Sequence, residues 1–187
     1  MRLRTWLLAL LAALAPVALA DVKLPAIFGS GMVLQRDIPV PVWGWADPGE
    51  DVAVTLAGQT AKTKADAKGN WRVTLKPLQL GKPLAMTVAG TNAITLADIL
   101  VGDVWVCSGQ SNMAMSVSRC SDAEQEAAAA KHPDLRLFTV ARKVSAVPLT
   151  DVEGSWAPCS PETVGGFSGA AYYFGRELQK RLNVPIG

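Results

Sequence analysis

The segment with the most chemical promise is Gly109-Gln110-Ser111-Asn112-Met113, which directly follows an apolar run. A serine placed after a glycine at the end of a strand sits where a strand-to-helix turn can expose its hydroxyl. The same turn can aim its backbone N–H at a developing oxyanion. A serine hydroxyl is a poor nucleophile until a base takes its proton, so the chemistry also calls for a histidine and an acid to orient it. Met113 stands where Gly-x-Ser-x-Gly would place its second glycine. On spacing alone such a turn is more often structural than catalytic.

His132 is the sole histidine. It follows a helical stretch and precedes Pro133, the place of a solvated residue facing the negative end of a helix rather than of a general base. Asp98 and Asp103 flank the apolar run and could act as ligands or as a triad acid, although Asp98 reads better as the end of a turn. Trp43, Trp45, Trp71, Trp105 and Trp156 invite a sugar-platform reading, because aromatic faces stack on carbohydrate C–H surfaces. The spacing favours core packing for each. No carboxylate pair with glycosidase logic and no Gly-rich phosphate loop occurs. Cys107, Cys120 and Cys159 lack zinc-site spacing, so no metal or cofactor is expected. Three cysteines permit one disulfide and leave one thiol, and the sequence does not fix the pair; Cys120–Cys159 is the favoured one, with Cys107 packed as a free thiol inside the apolar strand.

Two kinds of element must position these residues. Val52, Val54 and Leu56, then Trp71, Val73 and Leu75, then Leu84, Met86 and Val88 recur with period two, the mark of strands with one buried face. Turn residues separate them at Asp47-Pro48-Gly49, Ala57-Gly58-Gln59, Lys68-Gly69-Asn70 and Gly90-Thr91-Asn92. Residues 21–97 therefore read as an all-β sandwich. The texture then changes. Asp98 to Cys107 reads as a strand covered on both faces in a parallel sheet. Ser121 to Lys131 reads as a helix opened by a Ser121/Glu124 capping box, and Leu135 to Val140 as a second strand. Ser168 caps a helix whose apolar face is Ala171, Phe174, Leu178 and Leu182, and Val184 to Gly187 looks like the opening of a third strand. This is the start of an α/β domain over residues 98–187. Three strands and two helices cannot cover both faces of a parallel sheet, so this half reads as incomplete.

The chain has 187 residues, half of them hydrophobic, which excludes wholesale disorder. Arg2 and Arg4 precede the apolar stretch Trp6–Leu14, and Ala18-Leu19-Ala20 forms an A-x-A site before Asp21. Residues 1–20 thus read as a secretory signal peptide, and export to the periplasm or the medium is expected. No membrane span is expected once the signal is removed. Without Arg2 and Arg4 the 18 basic residues fall to 16, equal to the 16 acidic ones. A balanced chain has no clustered excess of Lys and Arg for phosphate, so nucleic acid is excluded as a partner.

Four ordered motifs resemble the bacterial sialate O-acetylesterase family of SGNH-type serine esterases. They are residues 28–36 (FGSGMVLQR), 41–46 (PVWGWA), 101–113 (VGDVWVCSGQSNM) and 166–178 (GFSGAAYYFGREL). The resemblance runs from about residue 24 to 187. It implies a β-domain followed by the start of a flavodoxin-like SGNH hydrolase domain. It also implies removal of acetyl groups from sialic acid or related sugars, with an O-acetylated sugar or glycan as partner. Ser111 is then the nucleophile, its backbone N–H part of the oxyanion hole, with Gly109, Gln110 and Asn112 beside it. The family's Asp-x-x-His and its later oxyanion donors have no match here, and His132 does not match that motif. A nucleophile without its base is the expectation, and hence an inactive chain in isolation. The alternative is a non-catalytic carbohydrate-binding or interaction module.

Overall fold

The computed structural model describes residues 21–187. The expected signal peptide lies outside the described residues. Seven strands come first: β1 (Val33–Gln35), β2 (Val40–Trp45), β3 (Asp51–Leu56), β4 (Gln59–Lys64), β5 (Asn70–Leu75), β6 (Leu84–Ala89) and β7 (Ala93–Gly102). Five of them form one sheet in the order β1-β7-β6-β3-β4, and β2 pairs with β5 in a second. All pairings are antiparallel except β1 with β7.

Period-two patterning does what it predicts. Val52, Val54 and Leu56 of β3 and Met86 and Val88 of β6 are buried against Val42 of β2 and Trp71, Val73 and Leu75 of β5. Each such side chain contributes about 1.5–3 kcal/mol relative to exposure. The two sheets thus close over one apolar core. The β3–β4 hairpin turns on Ala57 (φ 49°) and Gly58 (φ 73°). Positive φ at both central residues is the turn geometry that matches strand twist. Strand β4, Gln-Thr-Ala-Lys-Thr-Lys, escapes sequence reading because it is a sheet edge without a fully buried face.

The apolar run 98–107 departs from expectation. Strand β7 ends at Gly102, and within it Asp98 takes the left-handed conformation (φ 55°). Beyond Gly102 the chain is not covered on both faces: Trp105 is 49% and Val106 94% exposed. Pairing continues on one side only, where Gly187 N–H donates to the Asp103 carbonyl and Trp105 N–H to that of Gly187, each at 2.9 Å.

The remaining elements are helix α1 (Ser111–Ala114), a 3-10 turn (Val117–Arg119), α2 (Ala123–Ala129), β8 (His132–Phe138), β9 (Trp156–Cys159), α3 (Pro161–Val164) and α4 (Gly169–Leu182). Strands β8 and β9 pair antiparallel. Ile186 makes parallel bridges to both Asp103 and Leu135, so Ile186 lies between the exit of β7 and β8. A second core of Val117, Leu135, Leu137, Val164, Tyr172 and Ile186 lies under α4.

Helix α2 is shorter than expected. Asp122, in the left-handed conformation, precedes it, and the Ser121/Glu124 capping box does not form because the helix starts at Ala123. In α4 the Ser168 cap is present, its hydroxyl accepting the Ala171 N–H at 3.3 Å. The buried face, however, is Ala171, Tyr172 and Gly175, whereas Phe174 and Leu182 are exposed. Gly175 is what admits the sheet: a Cβ there would meet Leu135 Cδ1 at 2.9 Å.

Candidate active site

The segment leading to Ser111 is pinned as it leaves the sandwich. Arg36, just past β1, grips Asp103 in a fork, Nε to Oδ1 at 2.8 Å and Nη2 to Oδ2 at 3.1 Å. The Gln35 amide donates to Asp103 Oδ1 at 3.3 Å and accepts the Val104 N–H at 2.8 Å. Asp103 is therefore committed to holding the chain and does not serve as a free triad acid or ligand. Asp98 is likewise committed, to Arg136: Nη1 reaches Oδ2 at 2.6 Å and Nη2 reaches Oδ1 at 3.2 Å. These hydrogen bonds hold the Asp98 carboxyl below the usual carboxylate range, against the opposing push of burial.

From Val106 to Gly109 the chain is exposed and forms no strand, and Ser111 opens α1. The turn is closed by the Ala114 N–H donating to the Gln110 carbonyl at 2.9 Å. Gly109 is a close approach, where an added Cβ would stand 3.0 Å from Met113 Cβ. The motif around Ser168 braces this turn. The Ser168 hydroxyl donates to Met113 Sδ at 3.4 Å, and the Gly169 N–H donates to the Met115 carbonyl at 2.8 Å. Motifs 101–113 and 166–178 are thus in contact, as 28–36 and 101–113 are through Arg36 and Asp103.

Ser111, Gln110 and Asn112 are exposed, and the Ser111 hydroxyl makes no hydrogen bond among the described residues. Ser111 lines a cleft of about 1030 Å³ between the sandwich and the second core. Trp43 and Phe28 form part of the sandwich wall, ring centroids 4.7 Å apart and edge-on. Trp105 and Phe174 form a second edge-on pair at 5.1 Å on the other wall.

Core packing holds for Trp71, which is 3% exposed, but not for Trp43 or Trp105, which face the cleft. Trp156 is half-buried and donates to the Ile27 carbonyl at 2.7 Å.

His132 does not line the cleft. It is the first residue of β8, opposite Cys159, with its ring 6.4 Å from that of Tyr172. Among the described residues nothing joins Ser111 to an acid–base pair. No group of acidic, histidine or cysteine side chains among them could hold a metal ion.

The Cys120–Cys159 disulfide does not form, and all three thiols are free. Cys107 is exposed rather than packed, because the segment carrying it is not covered on both faces. Burial pushes the Cys159 thiol up to about 11.

The structure is similar to that of a solved carbohydrate acetylesterase from Xanthomonas citri. The two are 40% identical with a TM-score of 0.86, over 89% of this chain and 39% of that one. Sialate O-acetylesterases match by sequence: mouse at 36% identity over 83% of this chain and 33% of the relative, human at 32% over 88% and 36%. No protein-family model matches the chain. Across the stretch it spans, the chain is similar to the sialate O-acetylesterases and to this carbohydrate acetylesterase. It spans about a third of the length of the curated relatives it matches.

Proposed function

We propose that the stretch after β7, residues 103–187, is the opening of an SGNH hydrolase domain, which moves the expected boundary at 97 to the end of that strand, and that Ser111 is the nucleophile of a carbohydrate O-acetylesterase. Its oxygen attacks the acetyl carbonyl of an O-acetylated sialic acid or related sugar. The sugar alcohol leaves, and water then hydrolyses the acetyl-serine. The backbone N–H of Ser111 is one donor to the tetrahedral oxyanion. The carrying observation is the exposed, unbonded Ser111 hydroxyl in the cleft wall, on a turn braced by the Ser168 motif.

The sole histidine, its ring 6.4 Å from that of Tyr172, does not line the cleft, so among the described residues the nucleophile has no base beside it. This reading requires a base and an acid from outside residues 21–187. The chain is exported by its first twenty residues, and the sandwich, whose last strand runs to Gly102, walls the cleft.

The test compares the 187-residue chain with the full-length product of its gene on an O-acetylated sialic acid. Acetate release by the long form, lost on Ser111→Ala, together with silence of the short form, is the expected result. Release by the short form that survives Ser111→Ala overturns the assignment. Sugar binding with no hydrolysis at any length shifts the reading to a binding module.

A further inference from the structure

The turn that carries Ser111 has little of its own to hold it in place. Helix α1 is four residues long, buries none of them, and takes no side-chain cap from Gln110. So short a helix does not persist by its own hydrogen bonds. Every residue from Val104 to Asn112 is exposed. The serine therefore stands where the chain on either side of it is fastened. The Ser168 brace fastens the downstream side, and Asp103 is the last covered residue upstream.

Three parts of the molecule meet at Asp103. Its partly buried carboxylate takes the fork of Arg36 and the amide of Gln35, both from the sandwich. Its backbone joins the chain's last residues, the N–H donating to the Pro185 carbonyl at 3.0 Å and the carbonyl accepting the Gly187 N–H at 2.9 Å. The third part is the exposed run to Ser111 itself. Arg36 also donates its backbone N–H to the Gly102 carbonyl at 2.9 Å, so the strand is held at two successive residues. A single hydrogen bond leaves a carboxylate free to turn, whereas two parallel bonds from a planar guanidinium fix its orientation.

We propose that Asp103 and Arg36 are positioning residues for Ser111, a role that rests on reading Ser111 as the nucleophile. Through this fork the sandwich sets where the serine oxygen stands, and is more than a wall of the cleft. Neither residue touches the substrate. Loosening the fork displaces the nucleophile from the acetyl carbonyl and leaves the cleft's aromatic walls in place. A displacement of about 1 Å lowers a reaction rate by about a hundredfold.

The test has two arms, each run on Arg36→Gln, Arg36→Lys and Asp103→Asn. In the 187-residue chain, amide hydrogen exchange is read by NMR at Trp105, whose N–H is held by Gly187, and at Ala114, whose N–H closes the serine turn. Arg36→Gln and Asp103→Asn should speed exchange at both amides about tenfold, the scale of a charge-assisted hydrogen bond, and leave Val54 and Val88 in the sandwich core unchanged. In the full-length gene product, kcat for acetate release should fall about a hundredfold with KM within about twofold, and Arg36→Lys should recover part of the loss. Unchanged exchange at Trp105 and Ala114, a rise of equal size at Val54 and Val88, or a loss carried by KM overturns the proposal. A wild-type long form that releases no acetate overturns the nucleophile reading instead, and the exchange arm still decides whether the fork holds the serine's turn.

Discussion

Arg136 and Asp98 meet across the two cores, the guanidinium 5% exposed and the carboxylate 54%. Arg136 belongs to β8, under α4, and Asp98 to the bulge of β7, in the sandwich. The left-handed conformation of Asp98 interrupts the alternation of β7 at the residue that pairs with Arg136. The same guanidinium takes the Gly31 carbonyl, so one buried cation joins the sandwich to the second core.

Asp98→Asn should destabilise the chain by roughly 1–2 kcal/mol in urea unfolding, less than a fully buried pair, because half of the carboxylate faces water. The effect carries a pH signature. The Asp98 carboxyl titrates lower folded than unfolded, chiefly through the Arg136 hydrogen bonds. Its contribution is therefore present above the unfolded value, about pH 4, and is lost as pH falls through the folded value. The stability gap between wild type and Asp98→Asn should be constant from pH 5 to 7 and close below about pH 4. A gap that widens on acidification contradicts this.

Thiol counting separates the structure from the expected disulfide. In native protein at pH 8, Ellman's reagent should react quickly at Cys107, more slowly at Cys120 and scarcely at Cys159, whose thiol is buried and titrates near 11. Unfolding under non-reducing conditions should expose all three. A total of one in the unfolded chain would mean that a disulfide had formed.

Gly102 marks the place where β7 passes closest to the chain's last residues. A Cβ there would collide with the Pro185 carbonyl, with the carbonyl carbon at 2.7 Å. Gly102→Ala should cost about 1–3 kcal/mol, the range for overpacking. Gly81→Ala, where nothing lies within 4 Å, should be close to neutral and serves as the control. Equal unfolding midpoints for the two variants would deny the close packing at Gly102.

Export is read from the pattern of the first twenty residues and has a direct readout. The secreted or periplasmic protein should begin at Asp21, after Ala18-Leu19-Ala20. Amino-terminal sequencing of cell fractions decides it. Retention of Met1 in a membrane fraction would make the segment an anchor.

The sandwich was legible wherever one face of a strand is fully buried, as in Val52-Ala53-Val54-Thr55-Leu56 and Trp71-Arg72-Val73-Thr74-Leu75. It was illegible at β4, where an edge strand carries lysines and threonines and so shows no apolar rhythm. The run 98–107 misled because hydrophobicity reports a tendency to be covered, and Val104 to Cys107 are open to solvent here.

The serine motif was legible from its glycine and position. The Ser168 brace was not, because its hydroxyl signals a helix cap and its second partner is a methionine sulfur 55 residues away. The pairing of both candidate acids with arginines was equally hidden. Arg36 and Arg136 lie 67 and 38 residues from the carboxylates they hold, and nothing local in the sequence marks the partnership.

Strand β7 belongs to the sandwich by its pairing with β6 and β1, and its exit at Gly102 points the following residues toward Ser111. The order of synthesis gives that layout a meaning in time. All seven strands of the sandwich leave the ribosome, and can cross a membrane, before the serine does. The grip of Gln35 and Arg36 on Asp103 and Val104 is thus ready as the next residues arrive. A translation pause or proteolytic cut after residue 102 should leave a folded sandwich, whereas a lesion within β3 or β6 should leave the serine's segment with nothing to be fastened to.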